Sequence, residues 1–151
     1  MDTLESKLSV AIADDNERIL RLLEEIVSKD EELQVVGTAK DGEAAYKMIK
    51  EKEPDVVLLD IVMPKLDGLG VLDKIYKDTE VRKHPSVVMI SAIGQEQVTE
   101  AAFAMGADYY IMKPFDNDMV INRIKNVKNV KNTSEIKMSK PYEKIPQGPN
   151  K

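Results

Sequence analysis

Five short apolar runs, separated by segments with helical spacing, constrain this chain to one class of fold. The runs are rich in β-branched residues, and they read LSVAIA (8–13), LQVVGTA (33–39), DVVLLD (55–60), SVVMIS (86–91) and DYYIM (108–112). Several of them lack polar alternation, which is typical of parallel strands that are covered by helices on both faces. The runs therefore predict the strands of a parallel sheet.

The segments between the runs carry apolar residues at the spacing of an amphipathic helix. In NERILRLLEEIVSK these residues follow an i, i+3, i+4, i+7, i+8 pattern, and weaker stripes follow each later run. Strand and helix thus alternate five times, and right-handed crossovers would place helices on both faces of the sheet. We predict an α/β fold with a doubly wound, five-stranded parallel sheet.

Length and composition limit the domain count and the functions that the chain can have. With 151 residues, we predict one domain at 7–131, followed by a polar, proline-containing linker or disordered tail at 132–151. No apolar run approaches the length of a membrane span, the acidic and polar first residues do not read as a signal peptide, and there is no cysteine, so a cytoplasmic protein is expected. The net charge of −5 argues against direct nucleic-acid binding by this chain.

Polar side chains stand where the predicted strands end. Asp14 and Asp15 follow the first run, Asp60 and Ser91 end the third and fourth, and Lys113 follows the fifth. Because the carboxyl ends of parallel strands lie on one edge of a sheet, these groups should converge there. Clustered carboxylates repel one another unless a cation joins them, and oxygen ligands together with a phosphate suit Mg²⁺. The pattern predicts a Mg²⁺ site that also holds a phosphoryl group.

Asp60 is the best placed nucleophile of this cluster. It ends a central strand and precedes a loop whose shape Pro64 and Gly68 can fix. A carboxylate can attack phosphorus and hold the phosphoryl group as an acyl phosphate. Lys113 would then neutralise phosphoryl oxygens, and Ser91 would donate a hydrogen bond to the product.

Four ordered motifs give the chain a resemblance to a known family. They are ADD (13–15), LLDIVMPKLDG (58–68), SA (91–92) and KPF (113–115). With these motifs the chain resembles the receiver domain of bacterial two-component response regulators, over roughly residues 7–130. Within that family it is similar to the receiver of the sporulation master regulator of endospore-forming bacteria, through IADDN, EKEPDVVLLDIVMPKLDGL and GQEQVTEAA.

The resemblance implies a role for each matched residue. Asp60 would accept a phosphoryl group from a phosphohistidine on a histidine kinase or phosphotransferase. Mg²⁺ would be held by Asp15 and Asp60, by the backbone carbonyl of Val62 and with help from Asp14. Lys113 would pair with phosphoryl oxygens, its bond to Pro114 would be the family's cis peptide, and Ser91 and Tyr110 would be the switch residues. The fold implied is the flavodoxin-like (βα)5 receiver fold.

The same resemblance implies a regulatory domain rather than an enzyme, with at most weak self-catalysed phosphoryl transfer and hydrolysis. Phosphorylation would change the surface around the fourth helix, the fifth strand and the fifth helix and so control an output, in this case transcription in a sporulation phosphorelay. A phosphorylation-dependent homodimer is one expected partner state, and a DNA-binding domain would follow the tail. A stand-alone phosphorelay receiver is the alternative.

Other interpretations of the same residues stay open at this point. Asp14 and Asp15 could be the cap and first-turn acid of a helix, and His84 is expected to be solvated rather than a phosphoacceptor. A phosphatase with an aspartyl nucleophile would use a similar cluster, but the position for its general acid is occupied by Val62. A degenerate receiver that only mediates protein contacts is a further alternative.

Overall fold

Strands and helices alternate five times along the chain, as the apolar runs predict. The structure, a computed structural model, describes residues 7–132, with side chains as far as residue 127. The strands are β1 (Leu8–Ala13), β2 (Leu33–Ala39), β3 (Val56–Leu59), β4 (Ser86–Ser91) and β5 (Tyr109–Met112). The helices are α1 (Glu17–Ser28), α2 (Gly42–Lys52), α3 (Gly68–Lys77), α4 (Glu96–Ala104) and α5 (Asn117–Asn132). The predicted tail, apart from residue 132, lies outside the described residues.

The five strands form one parallel sheet with the order β2-β1-β3-β4-β5. The predicted doubly wound, five-stranded parallel sheet is therefore confirmed, and its strand order is flavodoxin-like. The chain leaves β1 toward β2 on one side and then crosses to β3 on the other. The switch in strand order thus lies between β1 and β3, and ligands of such sheets bind at the carboxyl ends of the strands beside the switch.

Helices cover both faces of the sheet, and alternate residues of one strand pack into different layers. In β1, Val10 and Ile12 pack with α1 and α5, whereas Ala11 and Ala13 pack with α2, α3 and α4. Both faces are buried, so a strand such as β3 needs no polar position at all. Each fully buried aliphatic side chain contributes roughly 1.5 to 3 kcal/mol of transfer free energy to folding.

The N-cap residue is described for four helices. In three of them its side chain accepts hydrogen bonds from the helix, and in α4 it does not. Asn16, Asp41 and Asp67 accept hydrogen bonds from the first turns of α1, α2 and α3, whereas Gln95 before α4 accepts none. A missing N-cap lowers helix stability by about 1 kcal/mol. The start of α4 is thus less firmly fixed than the starts of α1, α2 and α3. Within residues 7–132, no helix combines the length and the apolar character that crossing a lipid bilayer requires.

Asp55 connects the amino-terminal ends of β1 and β3. Its Oδ2 accepts hydrogen bonds from Ser9 N at 2.8 Å and from Ser9 Oγ at 3.1 Å, and its Oδ1 lies 2.6 Å from Lys83 Nζ. Burial would raise the pKa of Asp55, but the hydrogen bonds from Lys83 and Ser9 and the lysine charge hold that pKa below its ordinary value. Asp55 therefore stabilises the fold in its ionised form.

We expect Asp55→Asn to lower the free energy of unfolding by about 1 to 2 kcal/mol near neutral pH. Because the pKa of Asp55 is lower in the folded than in the unfolded chain, its stabilisation is present above the unfolded pKa and is lost as pH falls through the folded pKa. Urea unfolding should show the difference near pH 7 and little difference near pH 2. Asp73→Asn, which removes an exposed pair with Lys77, is the control. An equal deficit at both pH values would contradict the assignment.

Candidate functional site

Asp14 and Asp60 lie side by side at the switch between β1 and β3. The two strands are in register up to Ala13 and Leu59, and Asp60 N donates to the carbonyl of Ala13 at 3.0 Å. The next residue of each strand therefore lies at the same level of the sheet. Both aspartates are almost fully buried, with exposed fractions of 1% for Asp14 and 4% for Asp60. Two carboxylates so close and so buried require a positive partner.

Lys113 supplies that positive charge from the end of β5. Its Nζ lies 2.8 Å from Asp14 Oδ2 and 3.0 Å from Asp60 Oδ2, and it donates a hydrogen bond to the latter. Its backbone N donates to the carbonyl of Ser91 at 2.9 Å, which holds it beside β4, and the peptide bond to Pro114 is cis. Asp14 Oδ2 is buried, and no described residue gives it a well-directed hydrogen bond.

The charges of this cluster shift the pKa values of its members. Burial raises the pKa of Asp14, and repulsion from Asp60 adds to the effect, while Lys113 and a hydrogen bond from Asn16 N act against it. Burial would lower the pKa of Lys113, but Asp14 and Asp60 together raise it above its ordinary value. One ammonium therefore holds two carboxylates that would otherwise repel each other.

Asp15 adds a third carboxylate to the cluster from an exposed position. One carboxylate oxygen from each of Asp14, Asp15 and Asp60 lies within 4.8 Å of the other two. Oxygen ligands of this kind suit a hard divalent cation, and the buried oxygen of Asp14 that lacks a well-directed hydrogen bond could coordinate one. The residues present therefore fit the predicted Mg²⁺ ion.

The helix cap of α1 is Asn16, so the alternative in which Asp14 or Asp15 caps this helix is wrong. Asn16 Oδ1 accepts hydrogen bonds from Arg18 N at 3.0 Å and Ile19 N at 3.1 Å. Asp14 Oδ1 instead accepts from Asn16 N at 2.9 Å, which fixes the carboxylate relative to the start of the helix. Sequence reasoning missed Asn16, although an asparagine directly before a helical stripe is a cap signal.

The loop after Asp60 turns back immediately and is held by backbone contacts. Gly68 N donates to the carbonyl of Ile61 at 2.7 Å, and Val62 N donates to Asp60 Oδ1 at 3.4 Å. A Cβ atom at Gly68 would lie 2.3 Å from the carbonyl oxygen of Asp60, so only glycine fits there. Asp67 Oδ1 accepts a hydrogen bond from Gly70 N at 2.8 Å and so caps α3. The loop thus fixes the residues on both sides of the carboxylate.

Ser91 and Tyr110 meet at the backbone of Ile93. Ser91 Oγ, fully buried at the end of β4, accepts a hydrogen bond from Ile93 N at 3.3 Å, and Tyr110 OH donates to the carbonyl of Ile93. Burial raises the pKa of Tyr110, a hydrogen bond with Ser91 lowers it, and the charge of Asp60 raises it further. The role of Ile93 could not be predicted from the residue types, because it comes from backbone atoms.

Tyr109 and His84 lie at the amino-terminal ends of β5 and β4, away from the carboxyl edge of the sheet that carries the cluster. Tyr109 points to the opposite face of the sheet from Tyr110, where it packs in the α1 and α5 layer below Arg123. His84 is exposed, and its ring packs edge-on against Tyr76 with centroids 4.6 Å apart. Neither belongs to the cluster of Asp14, Asp15, Asp60 and Lys113.

Comparisons with known proteins agree with this geometry. Residues 10–125 match the family model of the response regulator receiver domain. One similar structure is the signal receiver domain of the putative response regulator NarL from Mycobacterium tuberculosis, with 29% identity, coverage of 81% of this chain and 96% of that chain, and a TM-score of 0.75. The CheX-CheY-BeF3-Mg²⁺ complex from Borrelia burgdorferi matches with 36% identity, coverage of 80% and 88%, and a TM-score of 0.73. A DNA-binding response regulator of the LuxR family from Staphylococcus aureus matches with 26% identity, coverage of 80% and 98%, and a TM-score of 0.73.

Proposed function

The chain belongs to the response regulator receiver domain family, the phosphorylation-based switches of two-component signalling, and we propose that Asp60 is its phosphoacceptor. The donor is a phosphohistidine on a histidine kinase or a histidine phosphotransferase. One observation carries the proposal: the buried Asp60 carboxylate shares the ammonium of Lys113 with Asp14 and lies within 4.8 Å of carboxylate oxygens of Asp14 and Asp15. A nucleophile, a positive charge for phosphoryl oxygens and a set of metal ligands thus meet at the end of β3.

In the proposed transfer, an Asp60 carboxylate oxygen attacks phosphorus and forms an acyl phosphate bond. The phosphorus–nitrogen bond to the donor imidazole breaks, and its electron pair stays on the ring nitrogen. Lys113 Nζ, already 3.0 Å from Asp60 Oδ2, pairs with phosphoryl oxygens as negative charge moves toward the aspartate. Asp14, Asp15, Asp60 and the Val62 carbonyl would hold Mg²⁺, which when bound neutralises phosphoryl charge.

The proposed switch runs from Asp60 through Ser91 and Tyr110 to the surface of α4, β5 and α5. A phosphoryl oxygen would accept a hydrogen bond from Ser91 Oγ, which now accepts one from Ile93 N. The hydroxyl of Tyr110 donates a hydrogen bond to the carbonyl of Ile93, so a movement of Ile93 would also move the tyrosine ring. Helix α4 lacks a side-chain cap and can follow at small cost. The phosphoryl group would thereby favour one of two surface states.

We further propose a biological setting for this switch. The protein acts in the cytoplasm as a regulatory domain, with at most weak self-catalysed phosphoryl transfer and hydrolysis, in a sporulation phosphorelay that controls transcription. The three sequence runs shared with sporulation regulators support this role, and the similar LuxR-family regulator is itself described as DNA-binding. A phosphorylation-dependent homodimer would use Met112 and Met119, apolar side chains that are 44% and 42% exposed on β5 and α5.

Intact mass spectrometry tests the phosphoacceptor role. The protein is incubated with a small acyl phosphate donor, with and without Mg²⁺, and with a phosphorylated histidine phosphotransferase as a second donor. We expect one phosphoryl adduct per chain, which forms in the presence of Mg²⁺ and is strongly reduced by a chelator. Absence of any adduct on folded protein would instead favour a receiver that acts only as a contact module.

We predict that the acyl phosphate is lost slowly, because Val62 cannot orient an attacking water. Its side chain is apolar and 57% exposed at the position two residues after Asp60. Val62→Asn adds a side chain that can hydrogen-bond water there, and hydrolysis should become roughly 10-fold faster. Lys65→Asn, in the same loop, is the control and should keep the wild-type lifetime. Faster loss from wild type than from Val62→Asn would contradict this explanation.

A further inference from the structure

Gly42, the first residue of α2, lies directly against the backbone of the loop that follows Asp60. We call residues 61–67 the phosphoacceptor loop. A Cβ atom at Gly42 would lie 1.8 Å from the carbonyl oxygen of Leu66 and 2.5 Å from its carbonyl carbon. Gly42 N also donates to the carbonyl of Pro64 at 3.3 Å. Glycine is needed here because a side chain would collide with the loop. Its conformational freedom is not the reason, since residue 42 lies in a right-handed helix and has no positive φ.

The contact at Gly42 is one of several backbone attachments of the phosphoacceptor loop. Gly68 N donates to the carbonyl of Ile61, the residue after Asp60, and Val71 N donates to the carbonyl of Asp67. The carbonyl of Pro64 accepts hydrogen bonds from both Gly42 N and Leu66 N, the second at 2.8 Å. The start of α2 and the loop therefore share one hydrogen-bonded junction, six residues or fewer from the Asp60 carboxylate.

We propose that Gly42 is a positioning residue for phosphoryl uptake, and this inference rests on the proposed function of Asp60. Any side chain at residue 42 must push the Leu66 carbonyl away by roughly 1.2 Å to reach a separation of 3.0 Å. The displacement acts on Pro64 and then on Val62, whose carbonyl is the proposed fourth metal ligand. A misplacement of about 1 Å can lower a rate by up to roughly 100-fold.

Two other glycines have crowded surroundings of a different kind and provide matched controls. A Cβ atom at Gly70 would lie 2.5 Å from Leu66 Cδ1, and one at Gly37 would lie 2.9 Å from Met48 Sδ. Both neighbours are the ends of flexible side chains, which can rotate away. Gly70→Ala therefore disturbs the side chain of Leu66, whereas Gly42→Ala disturbs its backbone.

The test compares Gly42→Ala with Gly70→Ala and Gly37→Ala in two measurements. The first is the rate of phosphoryl uptake from a small acyl phosphate donor with Mg²⁺, divided by the folded fraction. The second is amide hydrogen exchange in metal-free protein, read at Gly68 N. We expect Gly42→Ala to slow uptake by about 10- to 100-fold and to speed exchange at Gly68 N, while both controls stay within about twofold of wild type. Folded Gly42→Ala with uptake within twofold of wild type would overturn the proposal.

A second pair of variants decides the case if Gly42→Ala does not fold. Leu66→Gly adds no atoms but releases the backbone that Gly42 supports, and Leu69→Ala shortens a neighbouring, similarly half-buried leucine of α3. Leu66→Gly should slow uptake by about 3- to 10-fold and Leu69→Ala should not, and equal rates would overturn the proposal. If wild type itself takes up no phosphoryl group, the function of Asp60 fails, and the exchange of Gly68 N still tests Gly42 separately.

Discussion

Asp60→Asn should take up no phosphoryl group and should also be more stable than wild type in metal-free buffer. An amide cannot form the acyl phosphate, so the adduct should be lost completely. The stability gain follows from burial of both aspartates and from their sharing of one ammonium. Asparagine can still accept a hydrogen bond from Lys113, but it removes the repulsion of Asp14. We expect a gain of about 1 to 2 kcal/mol in the free energy of unfolding.

Intact mass and urea unfolding measure the two effects on the same protein. Asp67→Asn is the matched control, since asparagine caps a helix as well as aspartate does and residue 67 lies in the same loop. This control should take up a phosphoryl group and should have the same free energy of unfolding as wild type. An adduct on Asp60→Asn would show that Asp60 is not the acceptor, and a loss of stability in that variant would show that repulsion between the two carboxylates does not destabilise the wild-type fold.

Lys113→Met should have the second largest effect, and it should lower both the free energy of unfolding and the rate of phosphoryl uptake. The variant leaves Asp14 and Asp60 buried without their cation, and breaking a buried ion pair in this way costs about 3 to 5 kcal/mol. Phosphoryl uptake should fall by about 100-fold or more, because no side chain neutralises the phosphoryl oxygens. Lys65→Met, which removes an exposed lysine from the same region, is the control.

The pH dependence of Lys113→Met follows from the carboxylates that remain. The pKa of Asp14 is already raised in the folded chain, and loss of the lysine should raise it further. A carboxyl group with a raised folded pKa lowers stability as pH rises from its unfolded pKa through its folded pKa. The deficit should therefore be largest near neutral pH and shrink on acidification, and Mg²⁺ should recover part of it. A deficit independent of pH would contradict this explanation.

Most of the fold could be predicted from the sequence, because apolar runs and helical stripes depend on local spacing. The strand ends in particular were informative, since parallel strands bring Asp14, Asp60 and Lys113 to one edge whatever the loops do. The prediction was less good where contacts depend on the exact path of the backbone. Tyr76, for example, follows the buried Ile75 on α3, but it is 43% exposed and its ring contacts His84 and Gly106.

Other parts of the site could not be predicted because they involve backbone atoms or empty space. The Ile93 backbone connects Ser91 with Tyr110, and any residue type except proline could supply that amide and carbonyl. The contact of Gly42 with Leu66 depends on how closely α2 approaches the loop, and the spacing of apolar residues in the sequence does not indicate that distance. Asn16 is the exception, since its position before the first stripe did contain a cap signal.

The most direct test of the phosphoacceptor role is to locate the phosphoryl group within the chain. Protein phosphorylated in Mg²⁺ is reduced with borohydride, which converts an aspartyl phosphate to homoserine, and is then digested and sequenced by mass spectrometry. We expect homoserine at position 60 alone, and none in protein treated without donor. Homoserine at position 14 or 15, or a phosphoryl adduct that yields no homoserine at position 60, would contradict the assignment of Asp60 as the phosphoacceptor.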